Sequence, residues 1–97
     1  MGSLELIAES RRLAILRCLA EINGHMINAS VMLTILPTWG FVEIPTTVEN
    51  DYIWLAEQGL IKCDDELDVM IATLTKRGLY VSKGLAKCKG VSTPSPD

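Results

Sequence analysis

Residues 46–84 constrain the fold of this chain more than any other stretch of its 97 residues. The stretch begins with Thr46 and has Glu49 three positions later, which is the spacing of a capping box at the start of a helix. Gly59 readily adopts the left-handed conformation in which many helices end. Between these limits, apolar side chains recur at helical spacing, at Val48, Tyr52, Leu55 and Ala56. The pattern predicts an amphipathic helix between Thr46 and Gly59.

Two β-strands and a closing helix are predicted after this helix. Residues 60–63 are predicted to start one strand, and residues 69–74, which have mainly apolar side chains, strongly indicate a second strand. The acidic residues 64–66 lie between them and indicate a polar turn. The closing helix starts at Thr75, and Gly78 allows it to approach the sheet closely. A helix, a two-stranded ribbon and a closing helix are the second half of a winged helix-turn-helix.

Two more helices are predicted ahead of this unit. Ser3 is a suitable N-cap for a long first helix that ends near Ile22. Asn28 is a good N-cap for the second helix, which Pro37 disturbs and which ends at Gly40 at the latest.

The complete prediction is an α+β fold: a winged helix-turn-helix with three N-terminal helices, a two-stranded β wing and a closing helix. Residues 1–86 form this domain. Residues 87–97, in which serine, threonine and proline fill positions 92–96, are expected to form a flexible C-terminal tail. In the closing helix Leu79, Ser82 and Leu85 are expected to face inward.

The first helix has apolar residues on two sides. One side holds Leu6, Leu13, Leu16 and Ala20. The other side holds Ala8, Ile15, Leu19 and Ile22. Either the helix is buried on both sides within the domain, or the second stripe is a dimer contact, since one apolar stripe suffices for a helix that covers a core. We predict a homodimer, because one short domain has limited capacity to bury both stripes.

The charge is unevenly distributed along the chain. The net charge of −3 argues against nucleic-acid binding, and acids fall on the third helix and on the turn between the strands. Residues 76–89 hold five cations and no acid. A DNA-binding protein needs cations on or around the helix that enters the groove. Here only the closing helix and the tail supply them.

The sequence nevertheless indicates which residues would contact DNA. Base edges would be read from the outer side of the third helix, by Asn50, Trp54 and Gln58. Phosphates would be contacted from the closing helix, by Lys76, Arg77 and Lys83. Three acids of the third helix would face or flank phosphate, namely Glu49, Asp51 and Glu57. Trp54 either marks an interface or is covered by the linker that precedes the helix.

The sequence contains few residues in a pattern that suits catalysis or metal binding. Its one histidine, His25, lies in a loop, and its three cysteines, Cys18, Cys63 and Cys88, are too widely spaced for zinc. The acidic turn lacks the glycine and the distant glutamate of a calcium loop. We therefore predict no enzyme, no metal and no cofactor. No apolar run approaches the length of a membrane span, and no secretion signal is seen, so we expect a cytoplasmic protein with no membrane contact.

Several segments resemble a small protein family of Mu-like prophages, often labelled ArsR- or MarR-like regulators. The similarity covers nearly the whole chain. It is carried by the motifs IAE at residues 7–9, RRLAILR at residues 11–17, DYIWLAEQGLI at residues 51–61 and ATLTKRGLYV at residues 72–81, with the tail of residues 90–96. The resemblance implies a winged-helix fold and a role as a phage-encoded, DNA-binding regulator of transcription. The alternative is a module that contacts a phage or host protein without touching DNA.

Overall fold

The computed structural model describes residues 2–66 and 68–95, which form an α+β fold. Within these residues there are four α-helices and one three-stranded antiparallel sheet. The elements run in the order α1 (Gly2–Glu21), β1 (Met26–Asn28), α2 (Ala29–Ile35), a 3-10 helix (Leu36–Trp39), α3 (Pro45–Glu57), β2 (Ile61–Glu66), β3 (Val69–Leu74) and α4 (Lys76–Ser82). The predicted α+β class is therefore confirmed.

The sheet has one more strand than the two that were predicted. Residues before Asn28 were expected to be a lead-in to the second helix, but they form β1, which pairs with β3 from Met26 opposite Thr73 to Asn28 opposite Ile71. The strand order is β1-β3-β2. A strand of three residues is too short to show a period of two in the sequence, which is why it was missed. Asn28 is the N-cap of α2 as predicted, and its side chain accepts a hydrogen bond from the Val31 N–H at 2.8 Å.

The start of α3 differs from the prediction. The capping box of Thr46 and Glu49 is not formed, because the N-cap of α3 is Ile44, two residues before Thr46, and Ile44 makes no side-chain hydrogen bond. Pro45 takes the first helical position, where its fixed φ suits a helix and its missing N–H is no loss. The helix ends as predicted at Gly59, whose φ of 77° is left-handed.

The β2–β3 hairpin is longer than predicted. Asp64 and Asp65 were assigned to a polar turn, but both belong to β2 and pair with Ile71 and Met70 of β3. Pairing continues to Glu66, the last residue of β2, so the turn follows residue 66 and does not occupy residues 64–66. Asp68 in this turn has a left-handed φ of 62°. Both exposed carboxylates of β2 therefore lie on a strand.

The middle of helix α1 is buried on both sides, and this contradicts the reason given for a homodimer. Ile15 and Leu19 of the proposed dimer stripe have no exposed surface within the single chain. Ala8 is half-buried, and Ile22 is 39% exposed. Because α4, β3 and the 3-10 helix pack against α1, the domain itself buries the central part of the second stripe.

Helix α4 is fixed by close approach to the end of α3. A Cβ atom at Gly78 would overlap the carbonyl oxygen of Leu60, so only glycine fits there. The Thr75 side chain caps α4 by accepting from the Gly78 N–H at 3.0 Å. Ser82 faces inward as predicted, but Leu85 lies beyond the end of α4 and is 74% exposed, so its predicted inward orientation is wrong.

The segment after α4 lies against α1 as far as the structure describes it. Cys88 and Val91 are buried in the hydrophobic core. The boundary at residue 86 and the flexibility of residues 87–97 stay predictions, and residues 96 and 97 lie outside the described part of the chain.

Candidate nucleic-acid interface

The predicted base-reading residues lie along α3 with increasing burial. Asn50 is exposed, whereas Trp54 and Gln58, one and two turns later, are half-buried. Arg77 of α4 reaches the same end of α3 and donates a hydrogen bond to the backbone carbonyl of Gln58. Lys76, next to it, is exposed. The structure thus brings most of the predicted contacts together at the C-terminal end of α3.

Lys83 is the exception among the predicted phosphate contacts. It lies beyond the end of α4, where it lines a separate depression of about 420 Å³ together with Arg17, Glu21 and Pro94. That depression is formed by the C-terminal half of α1 and by the segment after α4. Lys83 and Arg17 therefore form a second exposed basic region, separate from α3.

Trp54 is covered, but not by the linker in front of α3 as one alternative proposed. The Arg12 guanidinium stacks over its ring, with the Cζ atom 4.2 Å from the ring centroid. Gly90 packs against the ring edge so closely that a Cβ atom there would lie 2.5 Å from Trp54 Cζ2. The cover is therefore supplied by α1 and by the segment after α4. Neither contact has a signal in the sequence around Trp54.

Asp51 does not face solvent, so the prediction that it would face or flank phosphate is wrong. It is 3% exposed and accepts from Arg11 through both carboxylate oxygens, with Arg11 Nη2 3.1 Å from Oδ1. Arg11 also lies 3.4 Å from Glu43, and Arg12 Nε lies 3.6 Å from Asp51. The hydrogen bond to Asp51 raises the pKa of Arg11 above its usual value against the opposing effect of burial.

The position of Asp51 in the helix carried a signal that was overlooked. It follows Val48 by three residues and precedes Leu55 by four, so it falls on the buried face of α3. A carboxylate on a buried face needs a cation, because an unpaired buried charge is strongly unfavourable. The partner itself could not be identified from sequence, since Arg11 is 40 residues away.

The remaining charges divide the surface into two regions. Glu49 is half-buried beside α2, Glu57 is exposed on α3, and the hairpin is acidic at Asp64, Asp65 and Asp68. At the other end of α3, an open cleft of about 600 Å³ contains charges of both signs. It is lined by Glu5, Glu9, Arg12, Trp54, Gln58 and Lys89.

The described residues gather no metal-ligand set. No group of three His, Cys, Asp or Glu side chains comes together within residues 2–66 and 68–95. The three cysteines are free thiols, and burial raises the pKa of Cys18 to about 11, which keeps its thiol protonated and unreactive. The imidazole Nδ1 of His25 lies 2.8 Å from the carbonyl oxygen of Leu19 near the end of α1. Among the described helices, none combines the length and the apolar character that crossing a membrane requires.

Sequence comparison with known proteins relates this chain to a phage protein. The chain is 35% identical over 92 residues to the uncharacterized protein gp26 of Escherichia phage Mu, and the match covers 95% of each sequence. It belongs to the family of phage Mu gp26. An uncharacterized protein of Haemophilus influenzae is a further relative of the gp26 family, 33% identical over 98 residues, which cover 100% of this chain and 95% of that protein.

These relatives confirm the link to Mu-like phages that the sequence motifs indicated. Neither relative is named as an ArsR- or MarR-like regulator. No protein-family model and no solved structure matches the chain. The fold and the surface of this member of the gp26 family are therefore the features from which a function can be inferred.

Proposed function

We propose that this member of the gp26 family is a winged-helix protein that binds duplex DNA through α3 and regulates phage or prophage transcription. The observation that carries the proposal is the element order α1-β1-α2-α3-β2-β3 with the strand order β1-β3-β2, which is the topology of a winged helix. In helix-turn-helix proteins the second helix of the motif lies in the major groove. Here that helix is α3, and β2–β3 is the wing.

The packing of α3 against the core supports this role. One face, with Val48, Tyr52 and Leu55, has no exposed surface, and the Tyr52 hydroxyl donates to the Ile27 carbonyl at 3.0 Å. The opposite face is open and carries Asn50, whose amide matches the hydrogen-bonding edge of adenine. A rigidly held helix with a free polar face suits base reading.

The electrostatics of α3 are less unfavourable than the sequence indicated. The charge of Asp51 is neutralised inside the domain by Arg11, so it does not repel phosphate. Arg77 lies at the C-terminal end of α3 and Lys76 is the exposed residue before it, and both would contact the DNA backbone. Glu57 remains as an exposed acid on the helix. Binding through so few cations would be weak, and its salt dependence would be shallow, because each phosphate contact adds only about 0.9 to the slope.

Fluorescence anisotropy with random-sequence and prophage duplexes at low salt tests the proposal, and Glu57→Gln is the informative variant. Removing one negative charge about 7 Å from a phosphate should tighten binding about threefold, from Coulomb's law in water. The matched control is Glu21→Gln, which removes the same charge from an exposed acid at the end of α1. Lys76→Ala with Arg77→Ala should weaken binding to all sequences alike, whereas Asn50→Ala should weaken only the preferred site.

The outcomes separate three possibilities. Tighter binding with Glu57→Gln alone supports α3 as the interface. Tighter binding with Glu21→Gln alone would place the duplex on the basic region of Arg17 and Lys83 and would contradict the role of α3. No binding to either duplex at tens of micromolar protein would remove the regulator proposal.

The second candidate is a module that contacts a phage or host protein without binding DNA. Two observations favour it: the acidic hairpin, and the exposed apolar residues in the first two turns of α1. These residues are Leu4 at 75%, Leu6 at 62% and Ile7 at 46% exposure. Exposed apolar clusters often mark protein contacts. Under either candidate we propose a cytoplasmic, non-enzymatic protein.

A homodimer remains part of the proposal, but it requires a surface other than the buried stripe of Ile15 and Leu19. Light scattering at micromolar concentration measures the mass directly. Leu6→Glu should reduce a dimer mass to that of a monomer if the start of α1 is the contact, while a monomer mass for the unmodified protein would end the idea.

A further inference from the structure

Residues 88–95, which we call the strap, pass the end of α3 at Gly90, contact α1 at Ser92 and return to the end of α4, where Pro94 lies against Gly84. The strap is attached by specific contacts. The Gly90 carbonyl accepts from Arg12 Nη1 at 2.9 Å, and the Ser92 N–H donates to the Glu9 carbonyl at 3.2 Å. Val91 is buried between these two hydrogen bonds at 7% exposure. The strap therefore has a defined seat in the structure, although it has no regular secondary structure.

The seat of the strap overlaps the candidate interface. Gly90 lies against the Trp54 ring, and the Arg12 guanidinium that stacks on the same ring is held by the Gly90 carbonyl. Arg12 Nε has no hydrogen-bond partner, although the guanidinium lies 3.6 Å from a carboxylate oxygen of Asp51 and of Glu5, and its side chain is only 14% exposed. A guanidinium with one donor that makes no hydrogen bond is chemically suited to a phosphate, and the strap helps to cover it through the Gly90 carbonyl.

We propose that the strap is a displaceable cover that competes with duplex DNA for the C-terminal end of α3. This inference rests on the function proposed above. Displacing residues 88–95 would uncover Trp54 and release Arg12 to contact a phosphate. The strap is suited to open locally because few backbone hydrogen bonds hold it and no helix or strand lies within it.

Gly90→Ala is the variant that opens the strap while keeping its one lysine, Lys89. The added methyl group would meet the Trp54 ring, and the φ of +97° at residue 90 is unfavourable for alanine. Gly24→Ala is the matched control, because residue 24 also has a positive φ, of +85°, but nothing lies within 4 Å of its Cβ position. The two variants share the backbone strain and differ in the contact with Trp54.

Two measurements are made on these variants. In a Trp39→Phe background Trp54 is the single tryptophan, and acrylamide quenching reports its accessibility. Quenching should rise with Gly90→Ala and stay unchanged with Gly24→Ala. Duplex affinity at about 50 mM salt should rise about tenfold with Gly90→Ala. One additional phosphate contact steepens the plot of log affinity against log salt concentration by about 0.9, which amounts to about one log unit of affinity between 1 M and 50 mM salt.

The two measurements distinguish the strap from the DNA-binding function. Unchanged quenching with Gly90→Ala overturns the strap as a cover, and increased quenching with unchanged or weaker duplex binding overturns competition. If no variant binds DNA, the proposed function fails, and competition with DNA fails with it, while quenching still decides whether the strap covers Trp54. Truncation after Lys87 gives an independent quenching measurement, and circular dichroism confirms that each variant is folded.

Discussion

Replacing Arg11 with methionine is expected to destabilise the domain by about 3 kcal/mol, near the lower limit for breaking a buried ion pair. Arg11 and Asp51 have side chains only 11% and 4% exposed, and they join α1 to α3. Without Arg11, Asp51 keeps one cation at 3.6 Å, Arg12, which is not placed to form a hydrogen bond with it. The remaining carboxylate is then buried with its charge poorly compensated.

Urea denaturation followed by circular dichroism measures this loss, which corresponds to a fall in Tm of roughly 12–24 °C for a domain of this size. Arg17→Met is the matched control, since Arg17 is exposed on the same helix and stacks over Trp39 at 5.5 Å. The double variant Arg11→Met with Asp51→Leu should recover most of the loss, because apolar residues replace a buried pair with little change in stability. A loss for Arg11→Met within about 1 kcal/mol of the control would refute the reasoning, because a solvated pair is worth no more than that.

Three further changes test the packing. Gly78→Ala should destabilise by roughly 2–3 kcal/mol in urea denaturation, whereas Gly2→Ala, in open space, should not. Leu19→Glu should abolish the folded circular dichroism signal, because Leu19 is fully buried; a folded variant would contradict the assigned core. Stability should also fall as pH rises above 9, by roughly 1.4 kcal/mol per pH unit, since burial raises the pKa of Cys18 from 9.0 to about 11 and the folded thiol keeps a proton that the unfolded one loses. Urea denaturation between pH 8 and 11 should therefore give a shallower fall for Cys18→Ala, and equal slopes would exclude this cause.

The sequence was informative wherever one local pattern decided a structure. The apolar spacing of Val48, Tyr52 and Leu55 correctly identified the buried face of α3. Asn28 and Gly59 correctly marked a helix start and a helix end, because caps depend on the residue itself and its nearest neighbours.

The prediction failed where a local signal was short or had a competitor. Strand β1 has three residues and became a strand only by pairing with β3. The capping box at Thr46 was a good local match, but Pro45 is also a favourable first residue and the helix begins there. The two apolar stripes of α1 were correctly seen, yet whether the second faced a partner or the core depended on how α4, β3 and the 3-10 helix pack against α1.

The sequence by itself therefore determined the α+β class, most of the helices and strands and the membership of a Mu-like phage family. Only the tertiary structure decided the state of the candidate site. Arg12 meets Gly90, 78 residues away, and Arg11 meets Asp51, 40 residues away. Contacts across such distances depend on how α1, α3 and the strap pack together, and no spacing rule within a helix or strand encodes them. That packing covers Trp54, neutralises Asp51 and leaves Asn50 exposed on α3.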